Sequence, residues 1–391
     1  MSITDIRSDD YTFITSHLFR FAPTTDRWER VDGHAPTADA PPLPGSIRVA
    51  TLNILHDHRS WRERQMIVSQ KRYAALPVHL EALDADVIAL HDATKSALKV
   101  LQESDFIRRA YTMTAIADSV GERPFSLLLS RLPVLECHAL HLSRHRDESA
   151  LIPCVVLKGR PVRPGYEGKR LAAAALRSDS DAIGNEGIGE RSYQLKFCTD
   201  ALRALEPSGN IVLLADTNMQ QTCEDASLQH ADLLDVWAET HFSDGEDGRP
   251  GYTHDPGCNA LLRNMNPGEK RMLRPDRILI PRGACVSPCA PASLWATEPL
   301  PVMDHQTATS MWGKLGLASK TVGLFLSNRF GVVADLKIGE APFDGNALAA
   351  ERLDMNARTP VQAPRPAEAV DAAFAVAGHA AFFAARLLGQ R

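Results

Sequence analysis

The sequence lacks a basic excess and a long apolar run. Its 43 Lys and Arg residues are outnumbered by 48 Asp and Glu, which gives a formal net charge of −5. This balance excludes a protein that coats nucleic acid through bulk positive charge, so any nucleic-acid contact needs a local basic patch. No stretch reaches the roughly 18 consecutive apolar residues that a membrane-spanning helix requires, so we expect no transmembrane segment.

Cysteines are few and form no pattern. Of the seven, only Cys285 and Cys289 lie close together, and no second pair or histidine cluster completes a zinc site. The first residues, 1-MSITDIRSDDYTF, carry acids where a secretory signal needs a basic start and an apolar stretch. We therefore expect reduced thiols and a cytoplasmic or nuclear location.

The composition is that of a globular protein, with 44% hydrophobic and 23% charged residues. The length of 391 residues is enough for one large domain with appendages. Residues 1–46 combine a short aromatic segment with a Pro-rich linker, and the domain is predicted over 47–317. Residues 318–391 are predicted to form a C-terminal extension. It contains a Pro-rich linker at 357–367 and an Ala-rich helix at 368–391 that offers a surface to a protein partner.

Short apolar runs alternate with segments of helical spacing. Runs of this length that end at turn residues are typical of buried strands. The predicted strands are 47–55, 87–90, 150–157, 170–176, 211–215 and 276–280, with 125–137 as two strand halves. The predicted helices are 60–83, 191–206 and 233–237.

Polar residues stand at the ends of several predicted strands. The run 211–215 ends on Asp216 and Asn218, which project to the same side of an extended chain. Asn53 and Asp92 end two other strands. A buried strand that delivers an acid and an amide to its end is costly unless these groups bind something. The alternative is a simple Asx-turn that reverses the chain.

Six motifs occur in order along the chain. They are TLN (51–53), ALHD (89–92), LLLSRLPV (127–134), ADTN (215–218), PDRI (275–278) and MDH (303–305). This set resembles the endonuclease/exonuclease/phosphatase superfamily and is most similar to tyrosyl-DNA phosphodiesterase 2-like proteins, whose motifs read TWN, QE, GDTN and SDH. The segments LLDVWAE, GYTHDPGCN and RPDRILI extend the resemblance, which covers about 47–315. It implies an α/β fold, a two-sheet DNase I-like sandwich with outer helices, followed here by the C-terminal helical tail.

The resemblance implies phosphodiester cleavage assisted by Mg²⁺, with Mn²⁺ as an alternative ion. Asn53 and Asp92 match the family's metal ligands, since a hard cation takes oxygen ligands and neutralises phosphoryl oxygens. Asp216 matches the acid that orients and deprotonates the attacking water. Asn218 matches the residue that donates to a non-bridging oxygen of the phosphate.

The remaining site residues follow from the same resemblance. His305 is expected to contact the phosphate, and Asp276 to hold the histidine ring in one tautomer. The alternative for these two is a structural pair in a packed core. The residues expected to bind substrate are Ser178, Asn259 and Asp304.

Two departures from the family concern the centre of the site. The metal-binding glutamate of the family is Asp92 here, one methylene shorter. The phosphate-binding histidine falls on Ala175, with His141 as the alternative position for it. The residues that could supply a substitute donor are Ser178, His91 and Arg177.

Two functions of different class follow. The first, which the retained motifs favour, is a Mg²⁺-dependent phosphodiesterase acting on nucleic-acid ends, with removal of adducts from 5′ phosphates in DNA repair as one such reaction. The second is a degenerate relative that binds a phosphate ligand or a partner without turnover. It is favoured by four substitutions: Asp92, Ala175, Gln220 and Met303 stand where the family has Glu, His, Arg and Ser. A nucleotide or phospholipid phosphatase is a third hypothesis, because fold and function are only loosely tied.

Overall fold

The computed structural model describes residues 7–8, 11–31, 43–57, 67–142, 151–158, 169–178, 184–241, 250–300 and 324–339. All of them lie in the first of the two units into which the chain divides, Met1–Phe343 and Asp344–Arg391. Within these ranges, no helix is long and apolar enough to cross a membrane.

The described ranges contain seventeen strands, and the longer ones are apolar runs that are almost entirely buried. In chain order the strands are β1 (Arg7–Ser8), β2 (Tyr11–Thr15), β3 (Leu18–Ala22), β4 (Arg27–Val31), β5 (Ser46–Asn53), β6 (Val87–Ala93), β7 (Thr112–Met113), β8 (Phe125–Ser130), β9 (Val134–Leu142), β10 (Ile152–Lys158), β11 (Arg170–Arg177), β12 (Ile211–Asp216), β13 (Leu233–Asp235), β14 (Asp276–Pro281), β15 (Val286–Pro288), β16 (Ser293–Trp295) and β17 (Gly331–Ile338).

Seven α-helices occur in the same ranges. They are α1 (Ser69–Leu83), α2 (Lys95–Glu103), α3 (Asp105–Ala110), α4 (Gly184–Leu205), α5 (Ala226–His230), α6 (Val236–His241) and α7 (Ala260–Met265).

The strands form two sheets. The first has the order β1-β2-β9-β10-β11-β12-β14-β13, and the second has the order β15-β17-β5-β6-β8-β7-β3-β4, with β16 beside β17. One neighbouring pair in each sheet is parallel: β11 with β12 in the first sheet, and β5 with β6 in the second. Since parallel strands end at the same edge of a sheet, the side chains at their carboxyl ends lie next to each other.

Apolar layers hold the sheets and helices together. Between the two sheets, Val49 and Ala89 of the second sheet belong to one buried cluster with Val212 of the first. The outer face of the second sheet packs on α1–α3, and the outer face of the first packs on α4. Each fully buried Leu or Val contributes roughly 1.5–3 kcal/mol relative to exposure, so a core of this extent can hold a costly polar cluster at its edge.

The predicted two-sheet α/β sandwich with outer helices is confirmed, and every predicted strand is present within a few residues of its expected limits. The predicted helix at 233–237 is partly wrong. Leu233–Asp235 forms β13, which pairs with β14 at the edge of the first sheet, and the helix begins only at Val236. Pairing with a sheet edge overrides the local helical spacing here.

The domain extends beyond the predicted limits of 47 and 317. In the segment predicted as a separate N-terminal piece, β2 pairs with β9 of the first sheet and β3 pairs with β7 of the second. In the predicted C-terminal extension, β17 lies inside the second sheet, between β15 and β5. The boundaries are therefore corrected, because both segments supply strands to the sheets. The predicted linker at 357–367 and helix at 368–391 lie outside the described residues.

Candidate functional site

Polar side chains gather where the parallel strand pairs end. Asn53, the last residue of β5, is in register with His91 of β6. Arg177, the last residue of β11, is the partner of Asp216 at the end of β12. Asp216 is also the direct partner of Asp276 at the start of β14. The order of the strands thus brings residues that are far apart in the chain to one edge of the sandwich.

The Asn53 side chain connects the two sheets. Its Nδ2 donates to Asp92 Oδ2 at 3.0 Å in the second sheet and to Asp216 Oδ2 at 2.8 Å in the first. Its Oδ1 accepts a hydrogen bond from Leu55 N at 2.9 Å. The two carboxylates need donors and the backbone N–H needs an acceptor, so these partners determine which way the amide points.

Three residues at these strand ends have a left-handed backbone: Leu55 with φ 57°, Asp92 with φ 58° and Asn218 with φ 48°. Asp and Asn tolerate this conformation better than Leu, because their short side chains can bond to the local backbone. Strained residues persist where the surrounding structure holds them, and they are frequent at functional sites.

Arg329 lies over the two facing acids of the first sheet. Its Nη1 donates to Asp216 Oδ1 and lies 3.7 Å from Asp276 Oδ2. Its Nη2 donates to Asn218 Oδ1 at 2.7 Å. Like charges directly opposite each other on neighbouring strands repel, so the guanidinium supplies the compensating charge.

The backbone before β17 holds Arg329 in this place. Ser327 Oγ donates to the carbonyl oxygen of Asn53 at 2.6 Å, which ties the segment to the end of β5. Phe330 N donates to the carbonyl oxygen of Thr253 at 2.8 Å. The position of the guanidinium is therefore set by three parts of the chain that only the folded structure brings together.

The two facing acids titrate in opposite directions. Burial alone would raise the pKa of Asp216, but the charge of Arg329, with His91 and the Asn53 hydrogen bond, outweighs burial and lowers that pKa below its ordinary value. At Asp276 burial dominates, and with the neighbouring charge of Asp216 it raises the pKa to about 7 despite Arg329. Asp216 is therefore ionised at neutral pH, while Asp276 is close to half protonated.

Arg177 provides a second guanidinium at the site. Its Nε lies 2.8 Å from Asp92 Oδ1, but the N–H is not aligned for a hydrogen bond. Ala175, two residues earlier on the same face of β11, is buried between the sheets. A cation from position 177, and not a histidine from position 175, therefore reaches the acid of β6. The Arg177 side chain is 30% exposed, so a ligand can approach its guanidinium from solvent.

His91, another predicted substitute donor, is fully buried. Its Nε2 lies 3.1 Å from Thr51 Oγ1, and its Nδ1 lies 3.0 Å from Ser126 Oγ. Burial lowers the pKa of His91 to about 4, so the ring is neutral at pH 7. Because both ring nitrogens are engaged, His91 positions the end of β6 and has no donor left for a ligand.

Several buried polar atoms at or near these strand ends have no hydrogen-bond partner among the described residues. They are Asp92 Oδ1, Arg177 Nε, Ser178 Oγ, His254 Nε2 and Asp276 Oδ1. Nearly all buried polar atoms in folded proteins are hydrogen-bonded. At this edge of the sandwich, a ligand, a water molecule or a residue outside the described ranges can supply the missing partners.

The structure gives Asn259, predicted to bind substrate, a different role. Asn259 is fully buried, and its Oδ1 accepts a hydrogen bond from Leu262 N at 3.0 Å as the N-cap of α7. Its Nδ2 donates to the carbonyl oxygen of Ser327 at 3.0 Å. Asn259 therefore positions the segment that carries Arg329, and its contact with substrate stays a prediction.

Asn218 follows the end of β12, and its side chain is bonded to two neighbours. Its Nδ2 donates to the carbonyl oxygen of Ser178 at 2.8 Å, and its Oδ1 accepts from Arg329. One N–H of the Asn218 amide is thus used within the protein, and the predicted hydrogen bond from its second N–H to a phosphate oxygen stays a prediction. The predicted Asp304 and His305 lie outside the described residues.

His141, the alternative position for the family histidine, lies on β9. Two strand spacings separate β9 from β11, since β10 lies between them. This corresponds to about 10 Å across the sheet. Its backbone partner is Thr12 of β2, on the side away from β11. Arg177 is thus much better placed than His141 to contact a ligand at Asp92.

The residues predicted to hold Mg²⁺ do not present a suitable set of oxygens. Asn53 turns its NH2 group toward both carboxylates, and its oxygen is used by Leu55 N. The second oxygen of Asp92 faces Arg177. Mg²⁺ requires near-octahedral oxygen ligands at about 2.0–2.1 Å. Within the described residues, no three His, Cys, Asp or Glu side chains are grouped so that they could hold a metal. This arrangement does not fit the divalent ion that the resemblance implies.

Sequence reasoning missed Arg329. It assigned the last motif to residues 303–305, whereas in the described part of the chain the cationic group beside Asp216 and Asp276 comes from 327-SNR-329. A signal for it was present. The apolar residues on both sides of it, 324-LFL and 330-FGVV, are typical of a segment that leads into a buried strand.

A cavity of about 420 Å³ opens on the side of the site away from Arg329. Its lining residues include Phe19, Phe125, Leu151 and Arg123. Ser126, the hydrogen-bond partner of His91, also lines it. Since β8 is next to β6 in the second sheet, the cavity begins about one strand spacing, roughly 5 Å, from the strand that carries Asp92.

No family model matches the sequence, and no curated protein matches it significantly. Solved structures match its fold. TDP2 from D. rerio in complex with a single-strand DNA product is 16% identical, with 75% of this chain and 100% of that chain covered and a TM-score of 0.51. An endonuclease/exonuclease/phosphatase family protein from Bacteroides thetaiotaomicron is 15% identical, with 75% of this chain and 96% of that chain covered and a TM-score of 0.52. A mannosyl-6-phosphatase from the same organism is 16% identical, with 74% of this chain and 99% of that chain covered and a TM-score of 0.50.

At these identities the likeness concerns the fold alone. The chain has the two-sheet, DNase I-like fold of the endonuclease/exonuclease/phosphatase superfamily, and TDP2 structures are among those that it resembles. The resemblance predicted from the motifs is thus confirmed at the level of the fold.

Proposed function

We propose that this protein binds a phosphate ester at the ends of its parallel strand pairs. We propose also that it does not hydrolyse this ester with a water molecule deprotonated by Asp216. The observation that carries the proposal is the contact of Arg329 with Asp216. Asp216 is fully buried, and each of its carboxylate oxygens already accepts a hydrogen bond, Oδ1 from Arg329 and Oδ2 from Asn53. Oδ1 also accepts from Asn218 N at 3.2 Å, so three of the roughly four lone pairs of this carboxylate are used. Because the side chain is fully buried, the remaining one is not exposed to a water molecule that would give up its proton.

The donors that remain suit a phosphate. Arg177 is partly exposed and its Nε has no hydrogen bond among the described residues. A guanidinium binds phosphate oxygens through two parallel hydrogen bonds, which makes it a strong and directional partner. Ser178 N donates to the carbonyl oxygen of Asp216 at 2.8 Å, and the buried Ser178 Oγ has no hydrogen-bond partner among the described residues, so we assign it as a further donor at these strand ends.

The ligand class that we propose is the phosphorylated end of a nucleic acid. The net charge of −5 gives no bulk attraction for a duplex, so contact is limited to a local group such as one terminal phosphate. The cavity beside Asp92, with its two phenylalanine rings and Arg123, offers a surface on which a base can stack. The TDP2 structure with a DNA product is an independent reason to choose this class.

The unpaired thiols of the described cysteines suit the proposed cytoplasmic or nuclear location.

The test is the binding of fluorescent single-stranded oligonucleotides that carry either a 5′ phosphate or a 5′ hydroxyl, measured by anisotropy. We expect the phosphorylated end to bind at least about tenfold more tightly, since hydrogen bonds to a charged group contribute about 1.5–3 kcal/mol. Arg177→Gln should abolish the preference. Arg48→Gln is the matched control, because Arg48 pairs with Asp335 at the opposite end of β5. Equal binding of both ends, or a preference that survives Arg177→Gln, would contradict the proposal.

A phosphodiesterase acting on nucleic-acid ends is the second candidate. It is favoured by the convergence of Asn53, Asp92, Asp216 and Asp276 on one edge of the sandwich. The distinguishing measurement is multiple-turnover hydrolysis of a 5′-phosphotyrosyl oligonucleotide, with a sugar phosphate as the alternative substrate for a phosphatase. Turnover that Asp216→Asn lowers by about 10²-fold or more would establish hydrolysis and overturn the binding-only proposal.

A further inference from the structure

We infer that Arg177 occupies the place of a divalent cation at Asp92, and that its removal exposes a latent cation site. The contact between these residues differs from an ordinary ion pair. Nε and Oδ1 are only 2.8 Å apart, yet the N–H does not point at the oxygen, so charge and not a directional hydrogen bond accounts for the approach. Asp92 Oδ1 has no hydrogen-bond donor among the described residues.

The burial of Asp92 explains why a cation is needed. The Asp92 side chain is only 7% exposed, and its backbone has a left-handed φ of 58°. A buried carboxylate is stable only when a neighbouring charge or several donors compensate it. Asn53 supplies one neutral donor to Oδ2. The charge therefore has to come from elsewhere, and Arg177 is the cationic side chain in contact with Asp92 among the described residues.

The same oxygen cannot serve both cations. A divalent ion at Asp92 Oδ1 would lie about 2.0–2.1 Å from it for Mg²⁺, in space bounded by the Arg177 nitrogen 2.8 Å from that oxygen. Two positive charges this close repel by several kcal/mol at the effective dielectric near a protein surface. Arg177 thus excludes the ion by occupying its position and by repelling it. With Arg329 on Asp216, the carboxylates of Asp92 and Asp216 each face a guanidinium.

The experiment measures Mn²⁺ binding to the full chain by electron paramagnetic resonance, which needs no enzymatic activity. Wild type should show no saturable Mn²⁺ binding that depends on Asp92. Arg177→Ala should bind one Mn²⁺ at least about tenfold more tightly than wild type, because the positive charge that competes with the ion for Asp92 is gone. Adding Asp92→Asn to that variant should remove the gain. Arg177→Lys, which keeps the charge, should behave as wild type, and Arg48→Ala is the matched control for loss of an arginine elsewhere.

Circular dichroism establishes that each variant is folded, and Arg177→Gln replaces Arg177→Ala if the shorter side chain prevents folding. Three results would overturn the inference: a wild-type Mn²⁺ site that Asp92→Asn abolishes, folded Arg177 variants that bind no more tightly than wild type, or a gain that survives Asp92→Asn. The readout is cation binding and not oligonucleotide binding, so this inference and the proposed function can fail separately.

Discussion

Asp216 and Asp276 are direct partners in the ladder between β12 and β14, so two carboxylates face each other across neighbouring strands. Both are fully buried. The fold accommodates them by placing the Arg329 guanidinium in contact with Asp216 and 3.7 Å from Asp276, and by letting Asp276 keep a proton up to a pH of about 7.

Replacing Arg329 should destabilise the protein strongly. Arg329→Gln leaves the buried Asp216 without its main compensating charge, and breaking one partner of a buried pair typically costs about 3–5 kcal/mol. The free energy of unfolding, measured with urea, gives this loss directly. Adding Asp216→Asn should recover part of it. A loss below about 1 kcal/mol, the level expected for the exposed control Arg48→Gln, would show that the guanidinium does not hold the acids.

Asp276 should make the protein less stable as pH rises from about 4 to about 7. In the unfolded chain this carboxyl loses its proton near its ordinary pKa of 3.8, whereas in the folded protein it keeps the proton up to about 7. The folded state binds more protons in this window, so the contribution of Asp276 to the free energy of unfolding falls with pH and is constant above it.

The measurement for Asp276 is the difference in unfolding free energy between wild type and Asp276→Asn at each pH. A difference is needed because His91 and His254, whose pKa values burial lowers to about 4, titrate between pH 4 and 6.5 with the opposite sign. The wild-type advantage should decline between pH 4 and 7 and then level off. A constant difference would show that Asp276 ionises normally in the folded protein.

The end of the folded domain should lie after β17. A chain that stops at residue 317 lacks the strand that pairs with β5 in the second sheet and also lacks Arg329. It should be insoluble or fail to melt cooperatively. A chain that stops at residue 343, where the first unit ends, should melt close to the full-length protein. Melting followed by circular dichroism separates the two, and a cooperative transition for residues 1–317 would contradict the corrected boundary.

Apart from the residues that contact Asp216 and Asp276, Arg72 should be among those whose substitution lowers the free energy of unfolding most. It is fully buried in α1, and its guanidinium donates to the carbonyl oxygens of Ile54, Leu55, Ile67 and Leu326 at 2.6 to 2.9 Å. Arg72→Met keeps much of the volume but leaves these acceptors unpaired, at about 1–3 kcal/mol for each that water cannot reach.

The Arg72 variant should also weaken phosphate binding, because Ile54 and Leu326 are the chain neighbours of Asn53 and Ser327. Chemical denaturation and the oligonucleotide assay measure the two effects. Arg27→Met, on the exposed edge strand β4, is the control and should change stability by no more than about 0.5 kcal/mol. If Arg72→Met lies within that range, the four carbonyls do not depend on the guanidinium.

Local patterns in the sequence determined the strands and the residues at their ends. Short apolar runs that end at turn residues are typical of buried strands, so Asn53, Asp92 and Asp216 could be placed at strand ends from the sequence. The order of six motifs was enough for the two-sheet fold. The domain limits were not predictable in the same way, because β2, β3 and β17 are short or moderately apolar and gain their stability from pairing with distant strands.

Only the tertiary structure decided which charges meet. Arg329 is separated from Asn218 by 111 residues and from Asp216 by 113, and no spacing along the chain links them. Arg177 was one of several substitute donors until the facing sheets placed it against Asp92. Local sequence patterns reflect the period and burial of single elements, whereas the pairing of a guanidinium with a carboxylate depends on strand order and on how two sheets face each other.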